Sequence, residues 1–310
     1  MLVATTVVGA PIGLEGRVPR LGVVTGGRRS RGPLLAGLRD LGYVPGQTIE
    51  ITEFATEGRP ELYRPLIERV LKSKPDVLLV SSTHGLKAAT ALTTTIPIVV
   101  VDLETDPVTS GFAVTLARPG RNVSGLFLDV PEMSAKMLQL LKEAVPVATR
   151  VVVVWDAAIS RAQFEAVERA AQATGIALRS APVRLIDDVD PALDSATRDG
   201  ARALVILSSP VFRLHQARLD DAALRYRLPS VTAFDLLSDG NGFLSYGPDV
   251  DDMFRRSASY VDRVLKGVPI GELPIERPAK FYLRVNVRTA RALGLAIPQS
   301  LLLRADQVIQ

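Results

Sequence analysis

Six short runs of near-continuous aliphatic residues set the strongest limit on what this chain can fold into: 21–25 (LGVVT), 76–80 (DVLLV), 96–101 (IPIVVV), 150–155 (RVVVVW), 203–207 (ALVIL) and 228–234 (LPSVTAF). A strand that is apolar at every position has both faces buried, an environment found in parallel sheets covered by helices on each side. Segments with helical spacing separate the runs. Leu34, Leu35, Leu38 and Leu41 share one face of a helix over 33–41, with Gly42 as its stop. Further helices are read over 61–72, 85–92, 163–174 (closed by Gly175), 191–199 and 219–226, while 49–54 and 176–183 alternate like half-buried strands. Strands alternating with helices make the class α/β.

The pattern runs twice. Arg20 and Arg150 open the two halves, Ser81-Ser82 and Ser208-Ser209 close their second apolar runs, and Asp102 and Asp235 close proline-containing runs. These landmarks keep the same order and similar spacing, which favours two similar α/β lobes over one continuous sheet. The 310-residue length suits two domains.

Composition removes several chemistries. Cysteine is absent, so disulfides, thiolate metal sites and cysteine nucleophiles are excluded. Two histidines, His84 and His215, are too few for a multi-histidine metal site, and no cofactor or metal site is expected. The net charge of +4 is spread along the chain, unlike the dense basic stripe of a nucleic-acid binder. No apolar run approaches the ~20 residues of a membrane-spanning helix. Residues 1–14 (MLVATTVVGAPIGL) read either as the end of a secretory signal lacking its basic part or as a loosely packed tail.

Ligands of open parallel sheets bind beyond the carboxyl ends of the strands, where helix N-termini offer free N–H groups. The candidates there are Gly26, Arg28, Ser81, Ser82, Thr83, Asp102 and Asp106 in the first half, and Asp156, Ser208, Ser209 and Phe234 in the second, with Tyr246 further on. Small hydroxyl and carboxylate residues hold a polar molecule by hydrogen bonds, and nothing in the sequence pairs them with a titrating base. Ser81 to Thr83 serve equally as helix caps, and the arginine-rich loop at Arg28, Arg29 and Arg31 equally as a solvated turn. Asn122-Val123-Ser124 matches a glycosylation pattern that is common by chance.

The segments 37–47 (GLRDLGYVPGQ), 93–99 (TTTIPIV), 118–125 (RPGRNVSG), 245–248 (SYGP), 265–267 (LKG), 278–281 (PAKF), 286–295 (NVRTARALGL) and 297–306 (IPQSLLLRAD) together resemble the extracytoplasmic substrate-binding proteins of ABC transporters, in the subfamily labelled tryptophan/tyrosine-type. The resemblance implies a type I periplasmic-binding-protein fold, with two Rossmann-like lobes whose parallel sheets are joined by three crossover strands, near 122–125, 245–247 and 280–283. Lobes of 20–124 plus 246–281 and 125–245 plus 282–310 follow, with 1–19 a signal remnant or tail and Gly125 and Gly247 as hinges. It further implies a non-catalytic, periplasmic and monomeric receptor with a truncated signal. Such a receptor takes a small polar ligand, an amino acid first, in an interlobe cleft and delivers it to the permease subunits of an importer. A cytosolic sensor on the same fold and a two-lobed enzyme are the alternatives.

Overall fold

A computed structural model of the chain describes residues 17–233 and 240–310. The readings placed on the N-terminal segment and on Phe234 and Asp235 fall outside the described residues. The first half runs β1 (Arg20–Thr25), α1 (Arg31–Asp40), β2 (Glu50–Ala55), α2 (Tyr63–Leu71), β3 (Val77–Ser81), α3 (Ser82–Leu92), β4 (Ile98–Leu103) and β5 (Val123–Phe127). The second runs α4 (Val130–Ala144), β6 (Arg150–Asp156), α5 (Arg161–Thr174), β7 (Ala177–Val183), α6 (Val189–Arg198), β8 (Ala203–Ile206), α7 (Pro210–Leu214), α8 (Gln216–Arg225), β9 (Ser230–Ala233) and β10 (Leu244–Pro248). The chain then forms α9 (Val250–Leu265), β11 (Phe281–Asn286), α10 (Val287–Leu293), α11 (Gln299–Arg304) and β12 (Gln307–Ile309).

The apolar runs become strands because each can bury both faces. Val24, Leu78, Val80, Ile98 and Val100 are essentially fully buried and pack with Ile67, Val70 and Leu86 of the covering helices. In the second half Val152, Val154, Leu204 and Ile206 pack in the same way under Leu193 and Leu219. The glycines foreseen as helix stops take left-handed backbone, Gly42 at φ +87° and Gly175 at φ +67°. This conformation carries no Cβ penalty for glycine.

Two sheets result, with strand orders β2-β1-β3-β4-β5 and β12-β11-β10-β9-β8-β6-β7. Among the described residues all strand pairings are parallel except β10 with β11. The chain divides into two compact units: Met1–Asp129 with Val250–Pro278, and Val130–Asp249 with Ala279–Gln310. The crossings therefore follow Asp129, Asp249 and Pro278, displaced from those expected. Backbone pairing explains the displacement. β5 is bonded to β4, and β10 lies between β9 and β11, so Gly125 and Gly247 are held inside paired strands rather than at crossings. Gly125 has φ +143°, and a Cβ there would meet the Val100 carbonyl oxygen at 1.9 Å. Its glycine is demanded by this close approach to β4.

The first unit is finished by α9, which packs on α1. The close approach needs Gly37, where a Cβ would fall 2.2 Å from the Arg255 carbonyl oxygen. Tyr43 Oη donates to Asp262 Oδ1 at 3.0 Å across the same contact. Overpacking of this kind costs about 1–3 kcal/mol. Gly37→Ala is expected to lower the unfolding free energy by that amount, seen by circular dichroism as a lower urea midpoint with an unchanged slope.

Candidate functional site

A doubly wound sheet opens a crevice where neighbouring strands lead into connections that run to opposite sides. The strand orders place that point between β1 and β3 in the first unit and between β6 and β8 in the second. The residues just beyond these strand ends are 26–30 and 81–84 in one unit, and 156–160 and 207–209 in the other. Gly26, Arg28, Ser81, Ser82 and Thr83 thus share one switch point, and Asp156, Ser208 and Ser209 the other. Each unit holds its own set.

At the first switch point the backbone N–H of Gly26 donates to Ser81 Oγ at 2.9 Å, and Ser81 Oγ also bonds Tyr63 Oη at 2.9 Å. Ser81 is buried, so it acts as a strut that ties the β1 turn to the end of β3. Ser82 follows with φ +63°, a left-handed conformation that costs a side-chain-bearing residue roughly 1–2 kcal/mol. Strain held at a strand end marks a place where the surrounding structure dictates the backbone. Ser82 Oγ accepts from Gly85 N at 3.4 Å in the first turn of α3. Thr83 Oγ1 lies 3.2 Å from Thr105 Oγ1 in the loop after β4. In that loop Asp106 is exposed, and its Oδ1 accepts from Val108 N at 2.8 Å. Asp102 lies in β4, and its side chain is outside what is described.

The arginine-rich turn is neutralised locally. Arg28 pairs with Glu57 at 3.0 Å and Arg31 with Glu53 at 3.1 Å. Arg28 is mostly solvent-exposed, so the solvated-turn reading describes its geometry better than an anion cradle. His84 and His215 are exposed, as expected for bland positions. The Asn122 amide nitrogen donates to the carbonyls of Thr93 and Ile96, and Ser124 is buried, which sets the glycosylation pattern aside.

At the second switch point Asp156 accepts from Ala158 N through Oδ1 at 2.9 Å and from Ser209 Oγ through Oδ2 at 2.8 Å. Both carboxylate oxygens are thus engaged by the protein, which leaves Asp156 a poorer ammonium partner than expected from sequence. Gln163, absent from the sequence candidates, grips the Ser208 peptide from both sides. Its Oε1 accepts from Ser208 N at 2.9 Å and its Nε2 donates to Ser208 O at 3.1 Å. Tyr246 sits on β10, in register with Ala233 and away from the switch point, and stacks on Phe281 with ring centroids 5.5 Å apart. Partial burial raises its phenol pKa.

Beside this switch point, Ser208, Ser209, Phe212, Arg213, Gln216, Thr232 and Ala233 line a shallow recess at the ends of β8 and β9. Thr232 Oγ1 donates to Gln216 Oε1 at 3.2 Å, and Gln216 Nε2 donates to Asp220 Oδ1 at 2.8 Å. Asp220 is 1% exposed, and burial pushes its carboxyl up to about 7 against the pull of the Gln216 bond, with Asp221 adding repulsion. Sequence reasoning missed this chain because single polar residues in an amphipathic helix read as a solvated face.

The ABC transporter substrate binding protein model matches residues 27–309. The chain belongs to that family. The substrate-binding protein is 22% identical over 271 residues to a "Tyrosine-binding protein" of Clostridioides difficile (strain R20291), covering 84% of this chain and 75% of that protein. Among solved structures it resembles a conserved domain protein from Vibrio cholerae O1 biovar El Tor (26% identity, TM-score 0.83, 94% of this chain and 100% of that one). An ABC domain from Streptococcus pneumonia in complex with L-Trp shares the fold at 18% identity, TM-score 0.83 and the same coverage. The family and these neighbours bear out the receptor reading and the type I periplasmic-binding fold, with a small-molecule ligand and an ABC transporter as partners. Among the described residues no helix is long and apolar enough to cross a membrane, and no group of three or more His, Cys, Asp or Glu side chains is placed to hold a metal.

Two outcomes follow from this geometry. Ser81→Ala leaves the Gly26 N–H and the Tyr63 hydroxyl without their common partner. It is expected to cost about 1–3 kcal/mol in chemical denaturation. Asp220 has a folded pKa above its unfolded value, so the native state binds its proton more tightly. Stability should fall as pH rises from about 4 to about 7. Asp220→Asn should match the wild type near pH 4 and melt higher at pH 8, a gain of up to about 4 kcal/mol at 1.36 kcal/mol per pKa unit, read by calorimetry at both pH values.

Proposed function

We propose that this substrate-binding protein captures an amino acid, aromatic ones first, and presents it to the permease subunits of an importer outside the cytoplasm, as a monomer and without chemical turnover. The observation that carries the reading is the pair of switch points, each furnished with small hydroxyl residues, helix N-termini and a nearby carboxylate. Such a set suits a zwitterion. Hydroxyls and the first N–H groups of α3 suit a carboxylate, and the exposed Asp106 suits an ammonium. The names of two similar proteins point the same way, one called tyrosine-binding and one holding L-Trp.

A thermal-shift panel on ligand-stripped protein tests this, with L-tryptophan, L-tyrosine, other amino acids, sugars and nucleosides. A ligand that binds only the folded state at a hundredfold excess over Kd adds about 2.7 kcal/mol. A saturable rise with aromatic amino acids, reduced at least tenfold in apparent affinity by Ser82→Ala combined with Asp106→Ala, is the expected result. A rise with sugars alone, or turnover of any ligand, would reject the reading.

A further inference from the structure

The recess beside the second switch point contains one side chain whose orientation is set from both ends. Gln216 opens α8 and lines the recess together with Ser208, Ser209 and Thr232. Its Oε1 accepts from Thr232 Oγ1 and its Nε2 donates to Asp220 Oδ1. An amide has two donor hydrogens and two acceptor lone pairs. One of each is used, and one N–H and one lone pair form no further hydrogen bond among the described residues. The polar row continues on the sheet. Ser245 is in register with Thr232, so both side chains leave the sheet on the same face. Ser245 Oγ is buried, with no hydrogen-bond partner among the described residues. A buried row that stops at an unpaired hydroxyl lacks a polar partner on that side.

We propose that Gln216 is a ligand-contacting residue of this half-site and that Asp220, acting through it, is a positioning residue that makes capture depend on pH near neutrality. The inference rests on the receptor reading above. An ionised carboxylate only accepts, so it holds Nε2 toward itself and Oε1 toward Thr232. A protonated Asp220 both donates and accepts. The amide is then free to turn over, with Thr232 accepting instead of donating, and the N–H and lone pair offered to the recess exchange places. Burial brings the Asp220 carboxyl into the range where this change takes place.

The surrounding charges do not counter it. Asp221 repels the ionised form and is itself bonded by Asn241. On the same helix, Arg218 pairs with Asp187 and Asp190 and Arg225 with Asp190, so the carboxylates at the α6 side are engaged by these arginines. Arg213 of α7 lies at the recess and His215 caps α8, both on the exposed side.

The test is the affinity for L-tryptophan and L-tyrosine by calorimetry from pH 5.5 to 8.5, in the wild type, Asp220→Asn, Gln216→Ala and His215→Gln. A pKa that differs by one unit between free and bound protein changes affinity about tenfold. The expected profile is a weakening of about tenfold toward low pH with a midpoint near 7, retained in His215→Gln and flat in Asp220→Asn. Gln216→Ala should bind more weakly throughout and show no midpoint. A flat wild-type profile, or a midpoint kept by Asp220→Asn, overturns the proposal. The side-chain amide resonance of Gln216 in ligand-free protein, assigned by its loss in Gln216→Ala, separates this from the choice of ligand. If neither amino acid binds, the aromatic amino acid reading fails. The coupling of Asp220 to Gln216 is then upheld if that resonance titrates near pH 7 in the wild type and not in Asp220→Asn, and the proposal falls if it does not titrate.

Discussion

Parallel pairing of β1 with β3, and of β6 with β8, is the constraint on which the rest depends. Each pair forms the second and third strands from one edge of its sheet, and connections leave it toward opposite sides. Parallel strands send every carboxyl end to the same edge, so turns and helix N-termini gather there whatever the loops contain. The backbone donors left over at those N-termini make that edge receptive to anions and carboxylates. The same edge arises twice in one chain because the same alternation of apolar strand and amphipathic helix is used twice.

Much of the polarity at these edges holds the edge itself in shape. Ser81 fastens the β1 turn, Asp156 closes its own turn and receives Ser209, and Gln163 clamps the Ser208 peptide. Buried donors and acceptors are matched by one another, and an orphaned one is expensive. The groups left partly open are the strained Ser82, the exposed Asp106, and an amide held in place by Thr232 and Asp220. Struts of this kind hold neighbouring polar groups in place ahead of binding, which lowers the ordering cost of any ligand contact made there.

The sequence carried the strands of the two central sheets well, within about two residues of their observed ends, because a both-faces-buried strand has no other way to satisfy its side chains. Helix stops at Gly42 and Gly175 were equally legible from backbone freedom. α4, α7 and the antiparallel β10–β11 pair were not. Short or proline-bounded segments have weak periodicity, and an antiparallel strand that closes a parallel sheet is chosen by its neighbours. The unit boundaries lie a few residues from the crossings expected, and Gly125 and Gly247, which look like flexible points in sequence, are held in ladders by β4 and β11.

By itself the sequence determined the class, the duplication and the edge at which chemistry gathers, since all three follow from local apolar periodicity and the direction of parallel strands. Tertiary structure alone decided which polar groups are free. Ser81, Asp156 and Asp220 are all short polar side chains, and sequence does not show that the first two are saturated by partners while the third is buried against an amide. Partners distant in the chain make that distinction: Gly26 for Ser81, Ser209 for Asp156 and, through Gln216, Thr232 for Asp220. Hydrogen-bond satisfaction and desolvation are properties of a place in the fold, and the place exists only once the two strands on either side of it have paired.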